Sequence, residues 1–279
     1  RFKSSRKRPM RPASRCFGAC VALLIVLSPA KRLDFTPPAL DVASTSRRCA
    51  DETAELAKVT KKLSRADLRR LMSISDALAD LNYERFQSFD NETTEGALQA
   101  VFAFAGDVYD GLDARSLAPA DLAWAQDHLR ILSGFYGLLR PLDAIQPYRL
   151  EMGIRLKTRR GANLYDFWGE RISLRLNEDA APLPDRTLVN LASQEYFGAV
   201  DAKALKLPLV TPHFKERKDG EARIISFFAK KARGAMARYA IENRIEKAED
   251  LKAFDRDGYR FDKALSTEAD WIFIREGNS

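Results

Sequence analysis

The run Leu23–Phe35, LLIVLSPAKRLDF, limits the fold of this chain more than any other stretch. LLIVL is short, apolar and rich in branched side chains, so it reads as a buried strand. The proline of SPAK ends that strand and places Ser28 and Lys31 at its exit. Loops held at strand ends are where binding chemistry collects. By periodicity alone the segment reads equally as a core strand and its turn.

The residues in front of the strand change the meaning of the overall charge. Residues 1–22 hold seven of the 46 Lys+Arg and no acid, which leaves 39 basic side chains to balance 39 Asp+Glu. The net charge of +7 and the pI of 9.3 therefore describe the extension and not a basic body. A case for nucleic acid has to come from local clustering. The basic stretch followed by Cys16–Leu27 also imitates a signal peptide, yet cleavage after it would remove the core strand. We read residues 1–22 as a non-native or disordered basic extension, and residues 23–279 as one compact domain. Two of the three cysteines, Cys16 and Cys20, fall in the extension, so Cys49 has no internal disulfide partner. This usage points to a cytoplasmic protein. Only His128 and His213 are available and no Cys/His cluster exists, so no metal or cofactor is expected. The run Asp107, Asp110, Asp113 does not match a calcium loop. No transmembrane run is present, so no membrane partner is expected.

The pattern is that of a mixed α/β (α+β) chain. Ser64-x-x-Asp67 resembles a capping box, and the helical spacing after it predicts one helix to about Phe89. A second helix is expected over Gly96–Phe102. A third opens at Pro119, with Leu122, Ala125, Leu129 and Leu132 on one face. Strands are expected at Tyr148–Leu156 and Thr187–Leu191, and another ends at Ile224–Ile225. A long helix then runs from about Phe227 to Ile245. Phe254–Phe261 and Trp271–Arg275 close the chain as short strands around Asp257-Gly258.

Four segments exceed what periodicity requires. In LSGFYGLLRP, Leu132–Pro141, Gly134 and Gly137 between helical stretches could expose amides to a phosphate beside Arg140; a plain turn needs the same glycines. In QPYRLEMG, Arg149 and Glu151 share the face opposite Tyr148, Leu150 and Met152, either as a surface pair or as a cleft pair. NLASQEYFG gathers Asn190, Ser193, Glu195 and Tyr196 after a strand, as a ligand loop or a helix N-terminus. In the long helix, Lys230, Lys231, Arg233 and Arg238 lie within half the circumference, which suits a solvated face or a nucleic-acid groove. Mid-helix Gly234 costs about 1 kcal/mol against alanine, which signals a close approach.

In order, LSPAKRLDF, SDALADLN, GDVYDGL, LSGFYGLLRPLDAIQPYRLEMG, LYDFW, NLASQEYFG and ISFFAKKARGAMARY resemble the YaaA family, also known as DUF328 or UPF0246. Such proteins belong to the bacterial response to hydrogen peroxide and limit free intracellular iron. The resemblance implies a distinctive α/β fold with a positively lined cleft, a helix–hairpin–helix element and DNA as the partner. No protein partner is identifiable. It marks LSGFYGLLRP as the hairpin, and Lys31, Arg149, Lys230, Arg233 and Arg238 as cleft residues. Two functional readings follow, with direct binding of iron by carboxylates such as Asp107, Asp110 and Asp113 as a less favoured third. The first is a cytosolic DNA-binding stress protein, selective for structure more than sequence. The second is an enzyme acting on a nucleobase, nucleotide or DNA lesion, with Ser28, Lys31, Asn190, Ser193, Glu195 and Tyr196 orienting the substrate. The sequence assigns no catalytic residue.

Overall fold

The computed structural model describes residues 23–183, 185–218 and 221–277. The reading of residues 1–22 lies outside them. The strand expected from LLIVL is Leu24–Leu27 (β1), and every residue of it is fully buried. It lies inside an eight-stranded sheet, where a strand covered on both faces carries an unbroken apolar run. The other strands are Leu129–Ser133 (β2), Gly137–Leu139 (β3), Leu188–Leu191 (β4), Leu209–Lys218 (β5), Glu221–Arg223 (β6), Arg260–Asp262 (β7) and Asp270–Glu276 (β8). Their order is β7-β8-β5-β4-β1-β2-β3, with β6 paired to β5. β1 is parallel to both β2 and β4, β4 to β5, and β5 to β8. The pairs β2–β3, β5–β6 and β7–β8 are antiparallel. The chain thus leaves β1 for one side of the sheet and later returns to its other side. In open α/β sheets such a switch of direction opens a crevice at the carboxyl ends of the strands.

The longer helices are Ala50–Thr60 (α1), Arg65–Met72 (α2), Asp76–Ser88 (α3), Asp107–Leu112 (α4), Pro119–His128 (α5), Arg171–Ala180 (α6) and Ser226–Glu242 (α7). The capping box at Ser64 is present, with Asp67 returning the bond to the Ser64 amide at 3.1 Å. The helix it opens stops at Met72. Ser73 is left-handed, with φ 51°, and Ser75 caps a second helix by accepting from the Leu78 amide at 3.3 Å. One expected helix is therefore two, packed on each other through the three-residue turn Ser73–Ser75.

Other boundaries also move. Gly96–Phe102 yields only the turn Ala100–Ala103 between two short strands. Leu129 and Leu132 belong to β2 and not to the helix begun at Pro119. Tyr148–Leu156 is not a regular strand. Asp257-Gly258 precedes β7, so the two closing strands join further on. No helix of the described residues is long and apolar enough to cross a membrane.

Candidate functional site

β1 and β4 run side by side with Leu27 opposite Leu191, so the loops leaving them emerge together. The Ser193 amide donates to Ser28 Oγ at 2.8 Å, and the two hydroxyls lie 3.3 Å apart. Tyr109 donates to the Ser28 carbonyl at 3.0 Å and fixes the first loop from below. Asn190 closes the end of β4 by accepting from the Ala192 amide at 3.0 Å. The neighbouring segment brings Arg149 and Glu151. Arg149 donates from Nη2 and Nε to Glu151 Oε1, at 2.9 and 3.1 Å, and Lys31 Nζ lies 3.4 Å from the same oxygen. Glu195 accepts from the Gly153 amide at 3.1 Å and ties the third loop to the second. Burial, then the charges of Glu195 and Glu151, hold the Tyr196 phenol well above its ordinary range. Ser28, Lys31, Arg149, Glu151, Ser193 and Glu195 are thus brought to one place at the carboxyl ends of β1 and β4, the switch point of the sheet, called the crevice below.

The segment Leu132–Pro141 corrects the sequence reading. It is the β2–β3 hairpin, with its residues buried up to Leu139, and not a connection between helices. The turn amides of Phe135 and Tyr136 are consumed by Ser133 Oγ at 3.2 and 2.9 Å, so they have nothing left for a phosphate. Gly134 is required because a Cβ there would sit 2.3 Å from the Leu150 carbonyl. Gly137 has φ +70°, and Trp168 closes on it. Arg140 is held by Asp143 and by the Ser46 carbonyl, both at 3.0 Å.

The basic helix α7 packs on α4 and β5, and its cations differ in how they are used. Arg238 pairs with Glu242 at 2.6 Å and donates to the Leu112 and Asp113 carbonyls. Lys230 faces Asp107 at 3.9 Å, while Lys231 and Arg233 form no ion pair among the described residues. Burial pushes the Arg233 guanidinium down. Asp107 and Asp113 are thus matched by Lys230 and Arg238, the latter pair at 3.3 Å. Among the described residues no group of three or more His, Cys, Asp and Glu is placed to hold a metal ion.

Another array of open cations among the described residues lies elsewhere. Two grooves of about 620 and 640 Å³ share Val59 and run between α1, α2 and the segment Gly153–Arg160. Their walls carry Lys58, Lys62, Arg70, Arg155, Lys157, Arg159 and Arg160 against Asp51, Glu55 and Asp67. Arg70 pairs with Asp67, and Arg160 with Glu55. The other five cations are exposed and unpaired among the described residues. Gly153, bonded to Glu195, also lines the first groove and joins it to the crevice. Sequence reasoning passed over this array, although RLKTRR at 155–160 puts four basic residues in six.

The family profile described as "Peroxide stress protein YaaA" matches residues 23–265. This chain belongs to the YaaA family. A UPF0246 protein of Caulobacter vibrioides (strain NA1000 / CB15N) is 68% identical over 253 residues, covering 91% of this chain and 99% of the relative. A UPF0246 protein of Phenylobacterium zucineum is 65% identical, over 91% of this chain and 95% of the relative. One of Ruegeria pomeroyi is 53% identical over 254 residues, covering 91% and 98%. These names describe no mechanism. The YaaA match takes in the crevice, the cationic groove and α7 alike.

Proposed function

We propose that this chain is a cytoplasmic DNA-binding protein of the hydrogen peroxide response, limiting free iron and protecting DNA. The observation that carries this reading is the exposed row Lys58, Lys62, Arg155, Lys157 and Arg159, unpaired among the described residues, along the two adjoining grooves of a body with no net charge outside the extension. Such a row displaces the counterions condensed on DNA phosphates, which favours binding without sequence readout. The α2–turn–α3 unit takes the part of the helix–hairpin–helix. Its three-residue turn sits beside Arg69 and Arg70, and α2 forms one wall of the groove. Iron is limited through the contact with DNA and not through storage, since Asp107 and Asp113 are matched by basic partners.

The test is a comparison of duplex, single-stranded and junction DNA by anisotropy, using the full chain. Lys58, Lys62, Lys157 and Arg159 are replaced by glutamine in one variant, and Lys230, Lys231 and Arg233 in another. The groove variant is expected to lose ten-fold or more in affinity on every substrate, and the α7 variant little. The reverse order would move the contact to α7. A second reading, an enzyme acting on a nucleobase, nucleotide or DNA lesion in the same cleft, is favoured by one atom of the crevice, Glu151 Oε2.

A further inference from the structure

The Glu151 side chain is only 10% exposed, and both of its cationic neighbours load the same oxygen, Oε1. Oε2 is buried and has no hydrogen-bond partner among the described residues. A buried carboxylate oxygen left without a donor is costly, and native structures keep few of them. A small recess lies against this side chain, lined by Pro29, Lys31, Tyr148, Arg149 and Tyr196 among others. Its volume of about 10 Å³ admits one water-sized group. Of its lining residues only Lys31 is exposed, so the Lys31 arm can leave Glu151 without disturbing the core.

We propose that Glu151 is the recognition group of a nucleotide subsite at the β1/β4 switch point. Oε2 accepts an N–H from the edge of a nucleobase. Tyr148 and Tyr196 line the recess, and Lys31 moves out to meet the phosphate. The choice of a nucleobase over another N–H donor rests on the DNA reading above. Its physical basis is the combination of an acceptor, two neighbouring tyrosines and an exposed cation, joined to the basic groove through Gly153. The base comes either from a free nucleotide or from an unpaired position in a strand.

The substitution Glu151→Gln separates this role from packing. Arg149 and Lys31 are donors and hold the amide oxygen at the Oε1 position, so the –NH₂ falls where Oε2 was. The acceptor becomes a donor with little change in shape. We expect the full chain to bind at least one of the four deoxynucleoside monophosphates saturably by calorimetry. E151Q should weaken that binding ten-fold or more while its affinity for fully paired duplex is unchanged. Lys31→Ala, at an exposed position, should abolish the preference for a monophosphate over its nucleoside. If no free nucleotide binds but E151Q weakens binding to a duplex with one unpaired base, the base comes from the strand. Equal affinity of wild type and E151Q for the nucleotides and for the unpaired-base duplex would overturn the proposal, even with duplex binding intact. Nucleotide binding in a chain that binds no DNA would support the subsite and defeat the DNA reading instead.

Discussion

Two buried ionisable side chains, Asp179 and His128, make the stability of the fold depend on pH. Asp179 lies between Arg130, which donates from Nε at 2.5 Å, and Arg48, with side-chain exposures of 6% and 5% for Asp179 and Arg130. Burial pushes the Asp179 carboxyl up, and the hydrogen bonds and charges of the two arginines more than reverse this, leaving it below the usual carboxylate range. Asp179→Ala leaves two guanidinium groups without their counter-ion and should cost about 3–5 kcal/mol in urea unfolding. The depressed value means that this contribution holds above the unfolded carboxylate range and fails as pH drops below it. His128 acts at higher pH. Burial lowers it to about 4, so the unfolded chain takes up a proton near pH 6.5 that the folded chain refuses. Stability should fall by up to about 3 kcal/mol between pH 7.5 and 4.5, and His128→Gln should remove that part of the slope. A wild-type slope equal to that of the variant would contradict this. Ser28, Lys31, Ser193 and Glu195 were legible from their place after strands, whereas Arg149 and Glu151 were read inside a strand that does not form. Asp179 was not, because its partners Arg48 and Arg130 are 131 and 49 residues distant in sequence.

At the scale of elements, single glycines decide which backbones touch. A Cβ on Gly234 would lie 1.7 Å from the Val108 carbonyl, and one on Gly111 would lie 2.1 Å from the Lys231 carbonyl, so α7 and α4 meet backbone to backbone. Gly234→Ala gains helix propensity yet should lower stability by about 1–3 kcal/mol through overpacking, read by thermal unfolding. The α2–α3 turn behaves in the opposite sense. Ser73 holds φ 51°, which costs a non-glycine residue about 1 kcal/mol, so Ser73→Gly should be neutral or slightly stabilising and Ser73→Val destabilising. The close approach at Gly234 was readable because glycine inside a helix carries a cost. The break at Ser73 was hidden because the apolar spacing continues across it. β2 was taken into the preceding helix for a related reason, as a short apolar run has no period of its own. The glycines of LSGFYGLLRP serve the packing of Leu150 and Trp168, which only the tertiary structure reveals.

The whole molecule joins a neutral α/β body, a cluster of polar side chains at the carboxyl ends of β1 and β4, and a cationic groove beside it. The family and the mixed α/β class were legible because the matching segments follow one another through the whole domain. The groove was not, since α1, α2 and Arg155–Arg160 supply its cations from separate parts of the chain. The seven basic residues of the extension would add phosphate contacts of their own to the salt slope of the unaltered protein. The most direct test of the account is therefore the salt dependence of duplex binding by the full chain with its seven extension Arg and Lys changed to glutamine. The slope of log K against log salt falls by about 0.9 for each phosphate contact. The account predicts tight binding with a slope of about −4, reduced toward zero when Lys58, Lys62, Lys157 and Arg159 are also neutralised. Loss of binding on neutralising the extension alone would contradict it.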